Sequence, residues 1–358
     1  MNFKILIIGN RDRFIHLEKF ATEINKKGIE TKLIYDFDFI DKFFELNIKK
    51  KIEKNRNFKK LLEDFNPNIV LLDRISKIGK KVIENNIPLW ILLRGNYWEE
   101  AKWARKTIYK SKKQIISAKK NEELIDYCFE NSNLILPISR YLENEVKQRY
   151  PNKNIVYFPA DGRNPDEWKK VVTQKLKHPC VGLIQGMNVW GKTKELLILK
   201  KVMMNLPNVT FYLAGDGRYR KNIIPELIQH KNFVWLNNLE YPNEIRKFFS
   251  EIDIFLLLSG LEGLGQTIIE SLLMKKPTIA SDIGGIPELI QHNKTGLLVK
   301  NGDAENISEN ILKLINNPSY AQEIAESGYQ IIKKEFSWNR LSEKFSEIIY
   351  NYKRDYAK

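Results

Sequence analysis

The feature that most constrains the fold is an alternation of short apolar runs with longer stretches of helical periodicity along the chain. Near-continuous apolar strands that are separated by helices indicate parallel sheets covered on both faces. Two series of strands are predicted, at residues 4–8, 30–34, 69–72, 89–93, 134–137 and 155–158, and then at 180–185, 210–214, 233–236, 254–258, 278–280 and 296–299. We therefore expect an α/β protein with two sheets.

The length of 358 residues suits two domains, because domains usually span ~100–200 residues. A polar stretch at 161–178, with glycine and proline in it, separates the two series of strands. We place the boundary near Trp168, which gives an N-terminal domain 1–168 and a C-terminal domain 169–336. A helix with an apolar face is predicted over 337–358, and we expect it to pack back on the N-terminal domain.

Cysteine usage and hydropathy bound the environment of the protein. Cys128 and Cys180 lie in apolar surroundings without CxxC spacing, so they are predicted to be core residues rather than a disulfide or zinc ligands. The first residues are typical of a strand, not of a signal peptide, and no segment approaches the ~20 apolar residues that span a bilayer. A cytoplasmic location is expected, with peripheral contact at the inner face of the membrane left open.

The net charge is +15, which attracts polyanions such as nucleic acid, anionic lipid or phosphorylated substrates. The charge alone does not choose among them. No DNA- or RNA-binding motif is visible, and the basic residues are not interleaved with an aromatic pair of the kind that stacks on bases. We therefore do not expect a nucleic-acid partner, although a basic nucleic-acid-binding protein stays as the non-enzyme alternative.

The strongest motif is the segment 259–270, which reads Ser-Gly-Leu-Glu-Gly-Leu-Gly-Gln-Thr-Ile-Ile-Glu. It follows an apolar strand and precedes an apolar helix, so it predicts a glycine-rich turn at a helix N-terminus. Glycines let the backbone approach a ligand closely, and the free N–H groups of a helix N-terminus favour an anion such as a diphosphate. Two glutamates eight positions apart can also be solvated groups on a helix, so the spacing by itself does not decide the function.

The neighbouring segments of the sequence decide which interpretation of segment 259–270 applies. With Glu262 and Glu270, the segment resembles the E-x7-E motif of the retaining GT-B glycosyltransferases of family 4, also called glycosyl transferases group 1. The segments 214–217 (Ala-Gly-Asp-Gly), 277–288 (Pro-Thr-Ile-Ala-Ser-Asp-Ile-Gly-Gly-Ile-Pro-Glu) and 295–299 (Thr-Gly-Leu-Leu-Val) are similar to further motifs of that family in the same order. Agreement of several segments in register is specific.

The resemblance implies a GT-B fold, in which two Rossmann-like domains with parallel sheets face across a cleft and the C-terminal one holds a nucleoside diphosphate sugar. It assigns Glu262 to the donor sugar, Glu270 to the ribose and Lys192 to the diphosphate. The donor-binding residues that it implies are Gly186, Lys192, Gly215, Glu262, Gly263, Leu264, Gly265 and Glu270. No metal ion and no other cofactor is implied.

Two positions depart from the family pattern. An arginine of the family follows the first glycine of this site, but here that position holds Met187, and Lys194 or Arg218 is a candidate to compensate. The family also often supplies a histidine from an N-terminal strand end, where this chain has Arg94. The expected catalytic residues are therefore Glu262, Lys192 and Arg94, with Arg94 acting electrostatically.

The N-terminal half is expected to bind the acceptor. Arg11 and Arg13 follow the first strand and can meet an anionic acceptor, or they are loop charges in water. Residues 98–120 are predicted to form one basic helix with a narrow apolar stripe and tryptophans at its start. Such a helix suits an anionic membrane surface, and the alternative is a solvated helix packed on its own domain.

These features predict a retaining, nucleotide-sugar-dependent glycosyltransferase. It would transfer a sugar to a hydroxyl of a glycan or lipid-linked acceptor, in the synthesis of a glycan, polysaccharide or glycolipid. A GT-B nucleotide-sugar epimerase is the alternative enzyme, because it would bind the same donor without a separate acceptor.

Overall fold

The chain forms two separate parallel sheets, as the alternating pattern predicts. The structure is a computed structural model that describes residues 3–40, 48–173 and 176–356. Contacts divide the chain into two units. The first consists of Met1–Arg94, Ser111–Gly162 and Trp338–Lys358, and the second of Gly95–Lys110 and Arg163–Ser337.

The first unit contains a five-stranded sheet in the order β2-β1-β3-β4-β5, with every paired strand parallel. Its strands are β1 Phe3–Gly9, β2 Ile29–Tyr35, β3 Ile69–Leu72, β4 Leu89–Leu93 and β5 Leu134–Pro137. These five predictions are confirmed to within one residue at each end. Strands β3, β4 and β5 are buried throughout, as expected where helices cover both faces of a sheet.

The predicted strand at 155–158 is wrong. Ile155 makes only an isolated bridge to Ile135, and Phe158 donates one backbone hydrogen bond to Pro137. Pro159 follows at once and has no N–H with which to continue a ladder. The segment is therefore extended and partly hydrogen-bonded, but it adds no strand to the sheet.

The second unit contains a six-stranded parallel sheet in the order β11-β10-β9-β6-β7-β8. Its strands are β6 Cys180–Ile184, β7 Thr210–Ala214, β8 Phe233–Trp235, β9 Ile254–Leu257, β10 Thr278–Ser281 and β11 Leu297–Val299. All six predictions are confirmed to within one residue at each end. A buried apolar cluster that includes Val181, Leu213 and Leu256 fills the space between this sheet and its helices.

Helices connect the strands of both sheets. They are α1 Phe14–Asn25, α2 Ile48–Phe65, α3 Lys77–Glu84, α4 Tyr97–Thr107, α5 Lys112–Asn131, α6 Arg140–Arg149, α7 Trp190–Thr193, α8 Leu199–Asn205, α9 Arg220–Leu227, α10 Asn243–Glu251, α11 Gln266–Leu273, α12 Ala304–Asn316, α13 Pro318–Glu335 and α14 Trp338–Tyr356. Helix α14 belongs to the first unit, where Phe345 packs against Phe20, Trp90 and Phe158. The sequence analysis likewise expects this helix to pack on the N-terminal domain.

The single basic helix predicted over 98–120 is two helices, α4 and α5. Ser111 ends the continuity because its Oγ accepts the N–H of Gln114 at 3.3 Å, while Gln114 Oε1 accepts the N–H of Ser111 at 3.0 Å. This capping box starts a new helix. The break also separates the units: Gly95–Lys110 lies in the second unit, whereas the sequence-based boundary puts all of 1–168 in the N-terminal domain. The chain enters the second unit again at Arg163, ahead of Trp168.

Both cysteines are buried free thiols, as predicted. Burial raises the pKa of each thiol to about 12, so neither is poised as a thiolate. Among the described residues, no helix is long and apolar enough to cross a membrane.

Candidate functional site

The strand order of the six-stranded sheet reverses beside β6, which has β7 on one side and β9 on the other. In open parallel sheets, ligands bind in the crevice outside the carboxyl ends of the strands at such a reversal. The loops that follow β6, β7, β9 and β10 all leave from this edge. The predicted donor residues lie on these loops, on the short helix α7 that follows the β6 loop, and on α11.

The loop after β6 carries a glycine that the protein itself does not require. A Cβ atom added to Gly186 would meet no atom within 4 Å, and the residue is exposed. By contrast, Gly215 and Gly217 in the next loop have φ angles of 136° and 155°, and a Cβ on either would overlap the backbone of the β6 loop. The two loops thus pack backbone to backbone and leave open space in front of Gly186.

Lys192 and Glu262 lie together at this edge. Lys192 Nζ donates to Glu262 Oε2 at 3.1 Å, and Ser259 Oγ donates to Glu262 Oε1 at 3.2 Å. The lysine side chain keeps 26% exposure and that of the glutamate 14%, so both reach solvent. A cation from α7 and a carboxylate from the loop after β9 therefore form the polar centre of the site.

The glycine-rich turn before α11 is held rigidly. Gly265 precedes the helix in the left-handed region, with φ 98°. Gly284 and Gly285, in the loop after β10, pack so closely that a Cβ on either would overlap the carbonyl oxygen of Glu262 or of Gly263. Leu264 is only 1% exposed, so its side chain is part of the core.

Glu270 lies one turn inside α11 and is buried, with 4% exposure. Its Oε1 accepts two hydrogen bonds from Arg163, from Nη2 at 2.7 Å and from Nε at 3.1 Å. The sequence does not single out Arg163. It lies 107 positions from its partner in a polar connecting stretch, and no local pattern links the two.

The first unit has its own cluster of charged groups at the carboxyl ends of its strands. Arg94 donates from Nε to Asp73 and from Nη1 to Asp161, and Arg13 donates to the same oxygen of Asp161. Burial alone would lower the pKa of Arg94, but the carboxylates of Asp161 and Asp73 outweigh burial and raise it. The two arginines and two aspartates balance in formal charge.

This cluster changes the interpretation of two predicted residues. Arg94 and Arg13, expected to act on the reaction and on the acceptor, are both engaged with buried carboxylates. Arg11 lies in the loop beside them, is exposed, and has its guanidinium 5.7 Å from the centre of the Tyr35 ring. Of the two predicted acceptor arginines, Arg11 is the one that faces solvent.

Comparisons with known proteins agree with this geometry. Residues 188–331 match the profile of the family described as Glycosyl transferases group 1. An uncharacterized glycosyltransferase of Methanocaldococcus jannaschii is 30% identical over 231 residues, which are 62% of this chain. Over this part of its length the chain is similar to the glycosyl transferases group 1 family. The match spans 60% of the length of that relative.

Solved structures share the fold of this chain over nearly all of its length. Sucrose-phosphate synthase from Thermosynechococcus elongatus superposes with a TM-score of 0.78 at 15% identity, over 99% of this chain and 100% of that one. Anabaena HepE in complex with UDP and glucose gives a TM-score of 0.71 at 16% identity, over 98% and 100%. The predicted GT-B fold class is confirmed.

The departure from the family pattern at Met187 has a structural cause. Its side chain is fully buried in the apolar cluster of the second unit, so it takes no part at the surface of the site. Lys194 has its Nζ 5.0 Å from the centre of the Trp103 ring and 3.2 Å from Glu195. Arg218 is exposed, and its backbone N–H donates to Asn188 Oδ1 in the β6 loop.

Helix α4 borders this loop in the same unit. The ring of Trp103 lies 2.6 Å from where a Cβ of Gly191 would be, and Thr107 hydrogen-bonds to the hydroxyl of Tyr219. Trp103, one of the tryptophans of the helix predicted to suit a membrane surface, therefore packs inside the second unit, against Gly191.

Within the described part of the chain, one group of side chains comes close enough to share a metal ion: His178, Cys180 and Asp253. Asp253 Oδ2 already bonds to the ring of His178 and accepts the N–H of Cys180, each at 2.8 Å. Cys180 begins β6, so this group lies at the amino edge of the sheet, opposite the donor residues. Its hydrogen bonds account for the arrangement without an ion.

Proposed function

We propose that this protein is a retaining glycosyltransferase that moves a sugar from a nucleoside diphosphate sugar to a hydroxyl of a glycan or lipid-linked acceptor. The observation that carries the proposal is the pairing of Lys192 with Glu262 at the reversal point of the six-stranded sheet, beside Gly186 and the N-terminus of α11. A cation, open backbone and a helix N-terminus suit a diphosphate, and a carboxylate suits sugar hydroxyls.

Each residue of this edge has a role in the transfer. The bond between the anomeric carbon and the diphosphate oxygen breaks, and a bond to the acceptor oxygen forms on the same face of the sugar. Lys192 and the N–H groups at Gly263 and Gly265 stabilise the charge that develops on the diphosphate. The departing phosphate oxygen takes the proton of the acceptor hydroxyl, and Glu262 holds the sugar. No cofactor takes part in these steps.

The remaining donor contacts are assigned to backbone and ribose. Gly186, Gly215 and the backbone of Leu264 border the diphosphate and nucleoside, and Glu270 accepts the ribose hydroxyls. UDP-sugars are the first donors to test, because the HepE structure holds UDP and glucose. With Met187 buried, Arg218 and Lys194 are the cations of the neighbouring loops that can serve the second phosphate.

The acceptor is assigned to the first unit, with Arg11 as its contact for an anionic group. Arg94 and Arg13 support the same edge through Asp73 and Asp161 instead of meeting the acceptor. Arg94 then affects the reaction only indirectly, because it fixes the conformation of this edge and contributes to its electrostatic potential.

Two experiments test the proposal. In the first, UDP-, GDP- and ADP-sugars are screened for a rise in melting temperature, since a ligand of the native state stabilises it. In the second, the donor that binds is incubated with and without candidate acceptors, and the anomeric proton of the product is read by NMR. Transfer with an unchanged anomeric configuration supports the proposal. Conversion of the donor without acceptor supports the epimerase, and binding of nucleic acid at physiological salt without sugar binding supports the non-enzyme alternative.

We also propose contact with an anionic membrane through the first unit. Ile115 and Ile116 at the start of α5 are 53% and 57% exposed, and four exposed lysines flank them: Lys112, Lys113, Lys119 and Lys120. A second basic surface, which the sequence analysis does not single out, lies on α2, where Ile48 and Ile52 are 72% and 61% exposed. Exposed isoleucines among lysines suit a lipid interface. Burial of the isoleucines among the lipids and attraction of the lysines to anionic headgroups both favour binding.

Vesicle co-sedimentation separates these surfaces. Anionic and neutral vesicles are compared with the intact protein, with Ile115→Ser/Ile116→Ser and with Ile48→Ser/Ile52→Ser. Binding to anionic vesicles that one pair of substitutions weakens identifies the surface, and equal pelleting with both lipids argues for a soluble acceptor.

A further inference from the structure

The buried pair between Arg163 and Glu270 joins the start of the main segment of the second unit to α11, the helix of the E-x7-E segment. The arginine side chain is 2% exposed and that of the glutamate 5%. Two nitrogens of the guanidinium, Nε and Nη2, donate to one carboxylate oxygen. Burying two charges is costly unless they are paired and hydrogen-bonded, so a pair at this depth fixes the side chains that form it.

The backbone of Arg163 is fixed as well. Its N–H donates to the carbonyl of Phe336 at 2.8 Å, and the residue forms a parallel bridge with Ser337. Arg163 opens the main segment of the second unit and Ser337 closes it. The guanidinium therefore extends from an anchored backbone position to a carboxylate on α11.

This anchoring matters for the chemistry assigned to Glu270. A carboxylate that accepts hydrogen bonds from both hydroxyls of a ribose must be ionised and must keep one orientation. A neighbouring guanidinium favours the ionised form, and two N–H groups on Oε1 restrict rotation of the carboxylate.

We propose that Arg163 is a positioning residue for the nucleotide ribose, which holds the Glu270 carboxylate ionised and oriented toward the two ribose hydroxyls. The inference rests on the proposed function, because the ribose role of Glu270 belongs to it. Arg163 acts through Glu270 and makes no contact with the sugar that is transferred. A purely structural cross-link between the connecting segment and α11 is the competing explanation.

The test compares two ligands that differ only in the ribose hydroxyls. Calorimetry measures the dissociation constants of UDP and of 2′,3′-dideoxy-UDP for the wild type, Arg163→Met and Arg163→Lys. The wild type should prefer UDP by about tenfold or more, as expected for hydrogen bonds to a charged acceptor. In Arg163→Met this preference should fall to about twofold or less, with dideoxy-UDP bound nearly as in the wild type. Arg163→Lys, which keeps the charge, should restore part of it.

Two further variants keep the result interpretable. Arg163→Met/Glu270→Gln removes both charges and so avoids an unpaired buried carboxylate, and it should show the same loss of preference. Lys275→Met removes the exposed ion pair with Glu326 in the same unit and should leave the preference unchanged.

Each outcome is decisive. Equal weakening of both nucleotides in Arg163→Met, with the preference intact, would show a structural cross-link only and overturn the inference while the proposed function stands. The same holds if the folded wild type binds UDP and dideoxy-UDP equally. If the wild type binds neither UDP in the calorimeter nor any UDP-, GDP- or ADP-sugar in the melting-temperature screen, the proposed function fails, and the inference fails with it.

Discussion

The carboxyl edges of the two sheets place charged residues in the same topological position and use them differently. In the second unit, Lys192 and Glu262 keep part of their surface in solvent, next to open space at Gly186. In the first unit, Asp73 and Asp161 are enclosed, with side-chain exposures of 2% and 0%, and Arg94 is bonded to both of them. One edge thus holds charges that a ligand can engage, and the other holds charges that are already engaged.

The difference shows that position at a strand end is not enough to assign a ligand contact. Both edges satisfy the rule that ligands bind beyond the carboxyl ends of parallel strands. The two edges differ in how much of their charged side chains stays exposed to solvent after the contacts with other protein groups are made. By this criterion the edge at Lys192 and Glu262 keeps charge available for the diphosphate that we propose, and the cluster around Arg94 is already paired within the protein.

The sharpest test of this contrast is Arg94→Met. The substitution leaves Asp73 buried without its guanidinium partner and removes one of the two partners of Asp161, so we expect a loss of about 3–5 kcal/mol in the free energy of unfolding. Donor affinity should change little. Urea unfolding and nucleotide calorimetry measure the two quantities. A variant of wild-type stability that has lost turnover would instead make Arg94 a catalytic residue and erase the contrast.

The reverse pattern is expected of Lys192→Ala. Turnover should fall by about 10²–10³-fold, because the cation acts on charge that develops in the transition state. The melting temperature should stay close to that of the wild type, since the lysine side chain is 26% exposed. Lys200→Ala, which removes an exposed pair with Glu226 in the same unit, is the matched control for turnover. Wild-type turnover in Lys192→Ala would remove this lysine from the site.

The smallest effects are expected from alanine substitutions at two glycines, one of which should change donor affinity and the other stability. Gly186→Ala meets no protein atom, so it should fold like the wild type and bind the donor about tenfold less tightly, because the methyl group enters space left for the ligand. Gly284→Ala, at φ 58° and against the Glu262 carbonyl, should lower stability by about 1–3 kcal/mol. Thermal unfolding with and without UDP measures both. Similar destabilisation by the two substitutions would contradict the idea that Gly186 is free of structural demands.

The sequence predicts the strands well because burial on both faces of a parallel sheet leaves continuous apolar runs, as in Ile69–Leu72 and Leu134–Pro137. It also predicts that the donor motif lies at one sheet edge, because strand ends and glycines are local signals. The break between α4 and α5 was readable as well: Ser111 and Gln114 have the spacing of a capping box, and the longer basic periodicity obscured it.

Long-range pairing is the part that local patterns cannot supply. Nothing near Arg163 indicates that it meets Glu270, and nothing near Arg94 indicates that Asp73 and Asp161 enclose it. Local patterns also do not predict the burial of Met187. Comparison with the family pattern shows that an arginine is missing at this position, but it does not show where the methionine side chain lies. Such contacts depend on which loops the topology brings together.

The bridge between Arg163 and Ser337 has a consequence for protein engineering and for evolution by recombination. Because the two ends of this segment lie side by side, the 163–337 cassette can be exchanged between relatives without a gap for the flanking chain to span. Helix α4 does not travel with that cassette, since it is encoded upstream at Tyr97–Thr107 while Trp103 packs against Gly191. A functional chimera therefore needs α4 from the same parent as the cassette, or a residue as small as glycine at position 191.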